Sequence, residues 1–109
     1  MEDRRVFERI NTRLPVKFLD PLSGREGQAD TTDISANGLG LVTNESLPAM
    51  TSLEMWLGIP DQHEPFYTRG EVVWSEPLPG TGAHRIGVRL EKAELMGLAR
   101  VLWLKERAA

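Results

Sequence analysis

Apolar and polar residues alternate along most of the chain, and turn-forming residues interrupt the alternation. In segment 85–90 every even position is apolar and every odd position is arginine or glycine. Alternation of this kind is typical of a strand with one buried face. The same pattern, with β-branched and aromatic residues where it is less regular, predicts five earlier strands, over about 14–19, 27–35, 39–42, 53–57 and 66–74.

Turn-forming residues separate these predicted strands. Asn37–Gly38 lies between the second and third and favours a type I′ hairpin turn, whose two central residues both require positive φ. Pro77, Pro79 and Gly80 predict a loop before the sixth strand. We therefore expect short antiparallel strands joined by hairpins.

The apolar period lengthens after Leu90. Leu95, Leu98 and Leu102 share one helical stripe, and Glu94 near the start of this segment suits the helix dipole. A helix is predicted over about 91–107. Five or six antiparallel strands followed by one helix indicate a mainly β fold, a small barrel capped by a C-terminal helix, because closure removes the exposed edges of a small sheet. We divide the chain into a flexible arm, residues 1–13, and the barrel with its helix, residues 14–109.

Composition and charge narrow the functional classes. The 109 residues are 40% hydrophobic and 27% charged, as in one globular domain. The net charge of -3 argues against DNA or duplex RNA as a partner. Cysteine is absent, the chain starts with charged residues, and no apolar run approaches the roughly 20 residues of a membrane span. We expect a cytoplasmic domain without membrane insertion.

The sequence offers no catalytic constellation. His63 and His84 lack a ligand-bearing partner at i+4, so no metal site is predicted. Asp33 and Ser35 share a strand face, but no histidine lies close in sequence to complete a triad. Phosphate-cradling glycine loops are also missing. We therefore expect a protein that is not an enzyme and that uses no metal or cofactor.

Two short polar segments are candidates for a binding site. The first is Arg4-Arg5-Val6-Phe7-Glu8-Arg9, ahead of the first strand, and the second is Asp33-Ile34-Ser35-Ala36-Asn37-Gly38. Taken alone, the arginines would be interpreted as a solvated terminus. Together, the segments resemble the two motifs of the PilZ domain family, RxxxR near the N-terminus and [D/N]xSxxG on the barrel. The residues that fill the two patterns are Arg5 and Arg9, then Asp33, Ser35 and Gly38.

The resemblance covers nearly the whole chain, because segments 70–74 and 86–90 also look like later strands of this family. It implies a six-stranded antiparallel barrel with a C-terminal helix that binds cyclic di-GMP, a bacterial second messenger. In this family an arginine just before RxxxR goes with two stacked ligand molecules, so Arg4 implies that stoichiometry. The implied ligand-binding residues are Arg4, Arg5, Arg9, Asp33, Ser35 and Gly38, and we add Trp74 to this set.

The chemistry of these residues suits that ligand. The rigid fork of arginine matches the O6 and N7 acceptors of guanine and also binds phosphate oxygens. Asp33 can accept from the N1–H and N2–H₂ edge of guanine or hold an arginine, and Ser35 can donate to a phosphate. Trp74 suits a position in the core or at the barrel rim, where an indole could also stack on a base.

We expect the ligand to order the arm and so alter a surface that an effector protein reads. Two other hypotheses stay open. One is a PilZ-fold interaction adaptor that binds no nucleotide. The other is a single-stranded RNA-binding barrel, which would need a basic, aromatic-rich face, whereas aromatic residues are only 6% of this chain.

Overall fold

The computed structural model describes residues 10–108, with side chains described for residues 10–102. It contains six strands and one helix. They are β1 (Pro15–Asp20), β2 (Arg25–Ser35), β3 (Gly38–Thr43), β4 (Ser52–Leu57), β5 (Phe66–Leu78), β6 (Ala83–Leu90) and α1 (Lys92–Ala108).

The strands close into an antiparallel barrel in the order β1-β2-β3-β6-β5-β4, and β4 pairs back onto β1. The predicted mainly β fold, a six-stranded antiparallel barrel with a C-terminal helix, is confirmed. Each strand has a neighbour on both sides over at least part of its length, so few backbone groups are left at an open edge.

The alternating residues form the barrel interior. Leu41, Met55, Val72 and Ile86 come from four different strands, and each is fully buried. Burial of an aliphatic side chain of this size contributes about 1.5–3 kcal/mol to folding. On α1, the predicted stripe of Leu95, Leu98 and Leu102 is buried as well. The apolar residues of the strand alternation and those of the helical stripe therefore form one core.

A buried hydrogen bond also ties α1 to the barrel. Thr68 on β5 is fully buried, and its hydroxyl donates to Glu94 Oε1 over 2.6 Å. Glu94 lies in the first turn of α1. In the part of the chain that the structure describes, no helix is long and apolar enough to cross a membrane.

Two local predictions are wrong. β5 continues through Pro77 to Leu78, where a loop was expected. Proline is tolerated there because the end of β5 pairs with β6 alone, which leaves one side of the strand without a ladder. The β2–β3 turn is not type I′ over Asn37–Gly38. Its central residues are Ala36 and Asn37, and neither has positive φ, since the described non-glycine residues with positive φ are Met50 and Asp61.

Candidate functional site

A bulge in β2 brings Asp33 and Ser35 to the outer face of the barrel. Ala29 and Thr31 are buried inside, and regular alternation would place Asp33 and Ser35 on that same inner side. The pairing of β2 with β3 shifts register between Thr31 and Asp33, so Ile34 becomes the next buried residue. The extra residue of a bulge changes the face on which all later side chains lie. The bulge therefore exposes the two polar motif residues.

The two residues are held by local hydrogen bonds. Thr32 Oγ1 donates to Asp33 Oδ1 over 2.9 Å, and Ser35 Oγ accepts from the backbone N–H of Asn37 over 3.2 Å. Because a hydroxyl has one proton and two lone pairs, Ser35 can support the turn and still donate to a ligand. Asp33 and Ser35 are both half-buried, and they lie two residues apart on one face.

Gly38, the last residue of the motif, is required by the backbone geometry of the barrel. Its φ is 128°, which disfavours any other residue. A Cβ atom there would overlap the carbonyl oxygen of Val88 and lie 3.0 Å from its carbonyl carbon. The described atoms that a side chain at Gly38 would meet belong to the backbone of β6.

The chain segment after the arginine motif lies against β2 at the other motif. Ile10 N donates to Ile34 O over 2.7 Å, and Ile34 N donates to Ile10 O over 2.9 Å. Ile34 is the residue between Asp33 and Ser35. Further along, the buried Thr31 hydroxyl accepts from Leu14 N over 2.8 Å and donates to Thr12 O over 2.5 Å. Residues 10–14 are thus fixed beside β2.

A second bulge exposes Trp74 on β5. Thr68 and Val72 are buried inside, and the register with β6 shifts between Val72 and Trp74. Trp74 consequently lies on the outer face, with 43% of its surface exposed. Its indole lies over Gly87, where a Cβ atom would be 2.9 Å from the indole Cδ1 and closer still to Nε1. Trp74 is therefore a surface residue and not part of the core.

One cross-strand row joins these features. Asp33 pairs with Gly40, Gly40 pairs with Gly87, and Gly87 pairs with Trp74. We call these four residues the glycine row. Three strand spacings separate its ends, which corresponds to about 14 Å. The row forms a floor on the barrel surface in which the carboxylate of Asp33 lies over Gly40 and the indole of Trp74 lies over Gly87.

Two arginines on β6 flank this floor, and the sequence interpretation did not include them in the site. Arg85 and Arg89 are exposed, and they lie two residues to either side of Gly87 on the outer face. Arg89 Nη2 lies 2.6 Å from Glu71 Oε1. The signal was present in the alternation of arginine and glycine over 85–89, which was used only to assign a strand.

A groove of about 500 Å³ lies beside the same floor. Its walls come from residues 11–13, residues 30–32 and Val42. Arg13 lies there with its side chain exposed, 3.4 Å from Asp30 Oδ2. Cationic groups thus border the outer face both before β1 and on β6.

The structure brings together Asp33, Ser35, Gly38 and Trp74 on one side of the barrel. The remaining predicted ligand-binding residues, Arg4, Arg5 and Arg9, lie outside the described residues, as does most of the predicted arm. Arg9 is covalently joined to Ile10, whose backbone pairs with Ile34. The outer face can therefore offer a polar ligand with planar bases the acceptors of Asp33, the hydroxyl donor of Ser35 and the aromatic plane of Trp74.

Solved structures share this architecture. Bacillus subtilis Inhibitor of motility (MotI/DgrA) aligns with a TM-score of 0.66 and 16% identity over 94% of this chain. The chain spans 51% of the MotI/DgrA chain, about half of its length. The PilZ domain of CeSA from a cellulose synthesizing bacterium aligns with a TM-score of 0.58 and 12% identity, covering 92% of this chain and 98% of that one. At such identities the similarity shows the fold.

Sequence comparison supplies the family. Curated proteins gave no significant match. The family model described as PilZ domain matches residues 3–105, which include both the arginine segment and the segment from Asp33 to Gly38. At the family level, this match implies a receptor or adaptor domain for cyclic di-GMP. With nearly the full sequence matched and the barrel fold shared, the chain belongs to the PilZ domain family.

Proposed function

We propose that this chain is a cyclic di-GMP receptor that holds the nucleotide between the arginines of residues 1–9 and the outer face of the barrel. In this proposal the ligand fixes residues 1–9, the part of the arm that precedes Ile10, against the barrel and changes a surface that an effector protein reads. The domain acts in the cytoplasm by binding and carries out no catalysis.

The pairing of Ile10 with Ile34 is the observation that carries the proposal. The pairing places Ile10, which follows Arg9, beside Ile34, which lies between Asp33 and Ser35. The two motifs are 24 residues apart in the chain, counted from Arg9 to Asp33, and this bridge supports their convergence on one ligand. If the arm were attached elsewhere on the barrel, its arginines would not be held close to the second motif.

The chemistry of the surrounding groups favours an anionic guanine nucleotide. Arg5 and Arg9 supply forks for phosphate oxygens or for the O6 and N7 edge of guanine. Asp33 can accept from the N1–H and N2–H₂ edge, which adenine lacks, and Ser35 can donate to a phosphate. The ligand carries two guanines and two phosphates, so each kind of group has a partner.

The glycine row suits a flat ligand. Because Gly40 and Gly87 have no side chains, the carboxylate of Asp33 and the indole of Trp74 can lie against the sheet above them. The exposed indole of Trp74 offers a plane for stacking, which contributes about 1–3 kcal/mol per base in single-stranded nucleic acid complexes. We assign Trp74 to the support of one guanine.

Calorimetric titration of the full chain with cyclic di-GMP tests the proposal. We expect binding, and we expect Arg5→Ala and Arg9→Ala each to weaken it by about 1–3 kcal/mol through the loss of one bidentate contact. Arg25→Ala is the matched control. Arg25 begins β2, ten residues from Ser35, and its guanidinium donates to Ser46 O over 3.1 Å. Binding by both arm variants with wild-type affinity would contradict the assigned roles.

Parallel titrations with GMP and with a short single-stranded RNA separate the other hypotheses. A receptor of the proposed kind binds cyclic di-GMP in preference to both. Absence of cyclic di-GMP binding by the folded wild type would instead favour a PilZ-fold adaptor that works without nucleotide. Preference for RNA would favour a nucleic-acid-binding barrel.

A further inference from the structure

We propose that Arg85 is a specificity-determining residue that reads the O6 and N7 edge of the guanine stacked on Trp74. This inference rests on the proposed function and adds a contact from β6, outside both motifs of the chain. It commits Arg85 to a base edge and not to a phosphate.

Strand pairing places Arg85 close to Trp74. Gly87 pairs with Trp74, and Arg85 pairs with Glu76 two residues further along β5. Arg85 and Trp74 are therefore diagonal neighbours on the outer face of one antiparallel pair. Such neighbours lie about 7–8 Å apart, a separation that long and aromatic side chains can span. A purine lying on the indole would have its edge within reach of Arg85.

The two arginines that flank Gly87 differ in the contacts that they already make. Arg89 is engaged by Glu71, with 2.6 Å between Nη2 and Oε1, and this contact directs its guanidinium towards β5. Arg85 lies opposite Glu76 on β5 and the apolar Val42 on β3, but it forms no salt bridge with Glu76 or with any other residue of the described part of the chain. Arg85 is thus the arginine that a ligand can engage without breaking an existing ion pair.

The chemistry of guanine gives the contact its form. O6 and N7 are adjacent acceptors, and the guanidinium fork donates to both at once. Stacking on Trp74 accepts any base, because every base has a π face. A fork on the O6 and N7 edge would reject adenine, whose N6 amino group is a donor at the position of O6. Trp74 would hold the base and Arg85 would identify it.

Titration of three variants with cyclic di-GMP tests this role. We expect Arg85→Ala to bind about 5- to 150-fold more weakly than the wild type, which corresponds to one bidentate contact. We expect Arg85→Lys to lose most of the same affinity, since lysine keeps the charge but not the fork. Arg25→Ala is the matched control, and its affinity should stay within about twofold because Arg25 begins β2, at a distance from Trp74 and Arg85.

A second ligand separates base recognition from attraction to phosphate. In this analogue of cyclic di-GMP, C–H replaces N7 in both guanines and the phosphates are unchanged. The wild type should prefer the natural nucleotide by a larger factor than Arg85→Ala does. Equal losses of affinity towards both ligands in Arg85→Ala would overturn the base contact, and so would full rescue by Arg85→Lys.

The outcomes also distinguish this inference from the proposed function. If the folded wild type does not bind cyclic di-GMP, the proposed function fails and the role of Arg85 fails with it. If binding depends on Arg5 and Arg9 but Arg85→Ala binds as tightly as the wild type, only the role of Arg85 is wrong. Unfolding curves of the variants confirm that each is folded, as expected for an exposed side chain.

Discussion

The indole of Trp74 occupies the space above Gly87 that a Cβ atom would need. An aromatic ring over a cross-strand glycine covers backbone that would otherwise be exposed, and it fixes the ring against the sheet. Gly87 is buried although it faces outward, because Trp74 covers it. The pair therefore sets the plane on which we propose that a guanine stacks.

Gly87→Ala should weaken cyclic di-GMP binding by displacing this ring. The new methyl group would overlap the indole, so Trp74 must tilt or move away from the floor. We expect a loss of about 1–3 kcal/mol, the contribution of one stacked base, measured by calorimetric titration.

The control for Gly87→Ala is the same substitution in a Trp74→Ala background. There the methyl group meets no ring, so we expect no further loss of affinity, and the two substitutions should be strongly non-additive. Equal losses in both backgrounds would show that Gly87 acts on the ligand by a route that does not involve Trp74.

The order of the strands and the helix along the chain could be predicted from the sequence, and so could the buried face of most of them. Strand alternation and helical periodicity are local patterns. The outward orientation of Asp33 and Ser35 could not be derived from alternation. Both have the parity of the buried Ala29 and Thr31, and only the bulge before Asp33 moves them to the surface. Motif resemblance selected them, whereas local patterning would have placed them inside.

The sequence also could not predict which residues become cross-strand neighbours at the site. Gly40 and Gly87 acquire meaning only through the register that aligns β2, β3, β6 and β5, and that register depends on two bulges. The same limit explains why the alternation of arginine and glycine over 85–89 predicted a strand and no site residue. The proximity of Arg85 to Trp74 is a property of strand pairing and is invisible in a linear pattern.

Gly38→Ala should destabilise the barrel far more than Gly24→Ala. Both positions have positive φ, at 128° and 78°, so each substitution strains the backbone, and the φ of Gly38 lies further from the left-handed region that other residues can adopt. At Gly24 a Cβ atom meets nothing within 4 Å, whereas at Gly38 it overlaps Val88 O. We expect an additional loss of about 1–3 kcal/mol for Gly38→Ala in urea unfolding. Similar midpoints for the two variants would contradict the close approach of β6.

Thr31→Val should loosen the segment that joins the arm to the barrel. Its hydroxyl bonds Leu14 N and Thr12 O, so valine leaves both groups without this partner. We expect a loss of about 1–3 kcal/mol in the free energy of unfolding, measured with urea, together with weaker cyclic di-GMP binding.

Thr31→Ser is the control for this substitution, because it keeps the hydroxyl and removes only a methyl group. Its unfolding free energy should fall by less, and its ligand affinity should match that of the wild type. If Thr31→Val binds as tightly as Thr31→Ser, fixation of residues 12–14 beside β2 does not contribute to the site.

Arg4→Ala should change the number of ligands bound. Arg4 precedes the RxxxR pattern by one residue, and we propose that its guanidinium supports a second guanine when two ligand molecules stack. Titration should give two molecules of cyclic di-GMP per wild-type chain and one per Arg4→Ala chain, with Arg25→Ala retaining two. The reason is that the inner molecule keeps Arg5, Arg9 and the barrel face, while the outer one depends on the extra fork. One molecule per wild-type chain would exclude this role for Arg4 and would leave the contacts of the inner molecule in place.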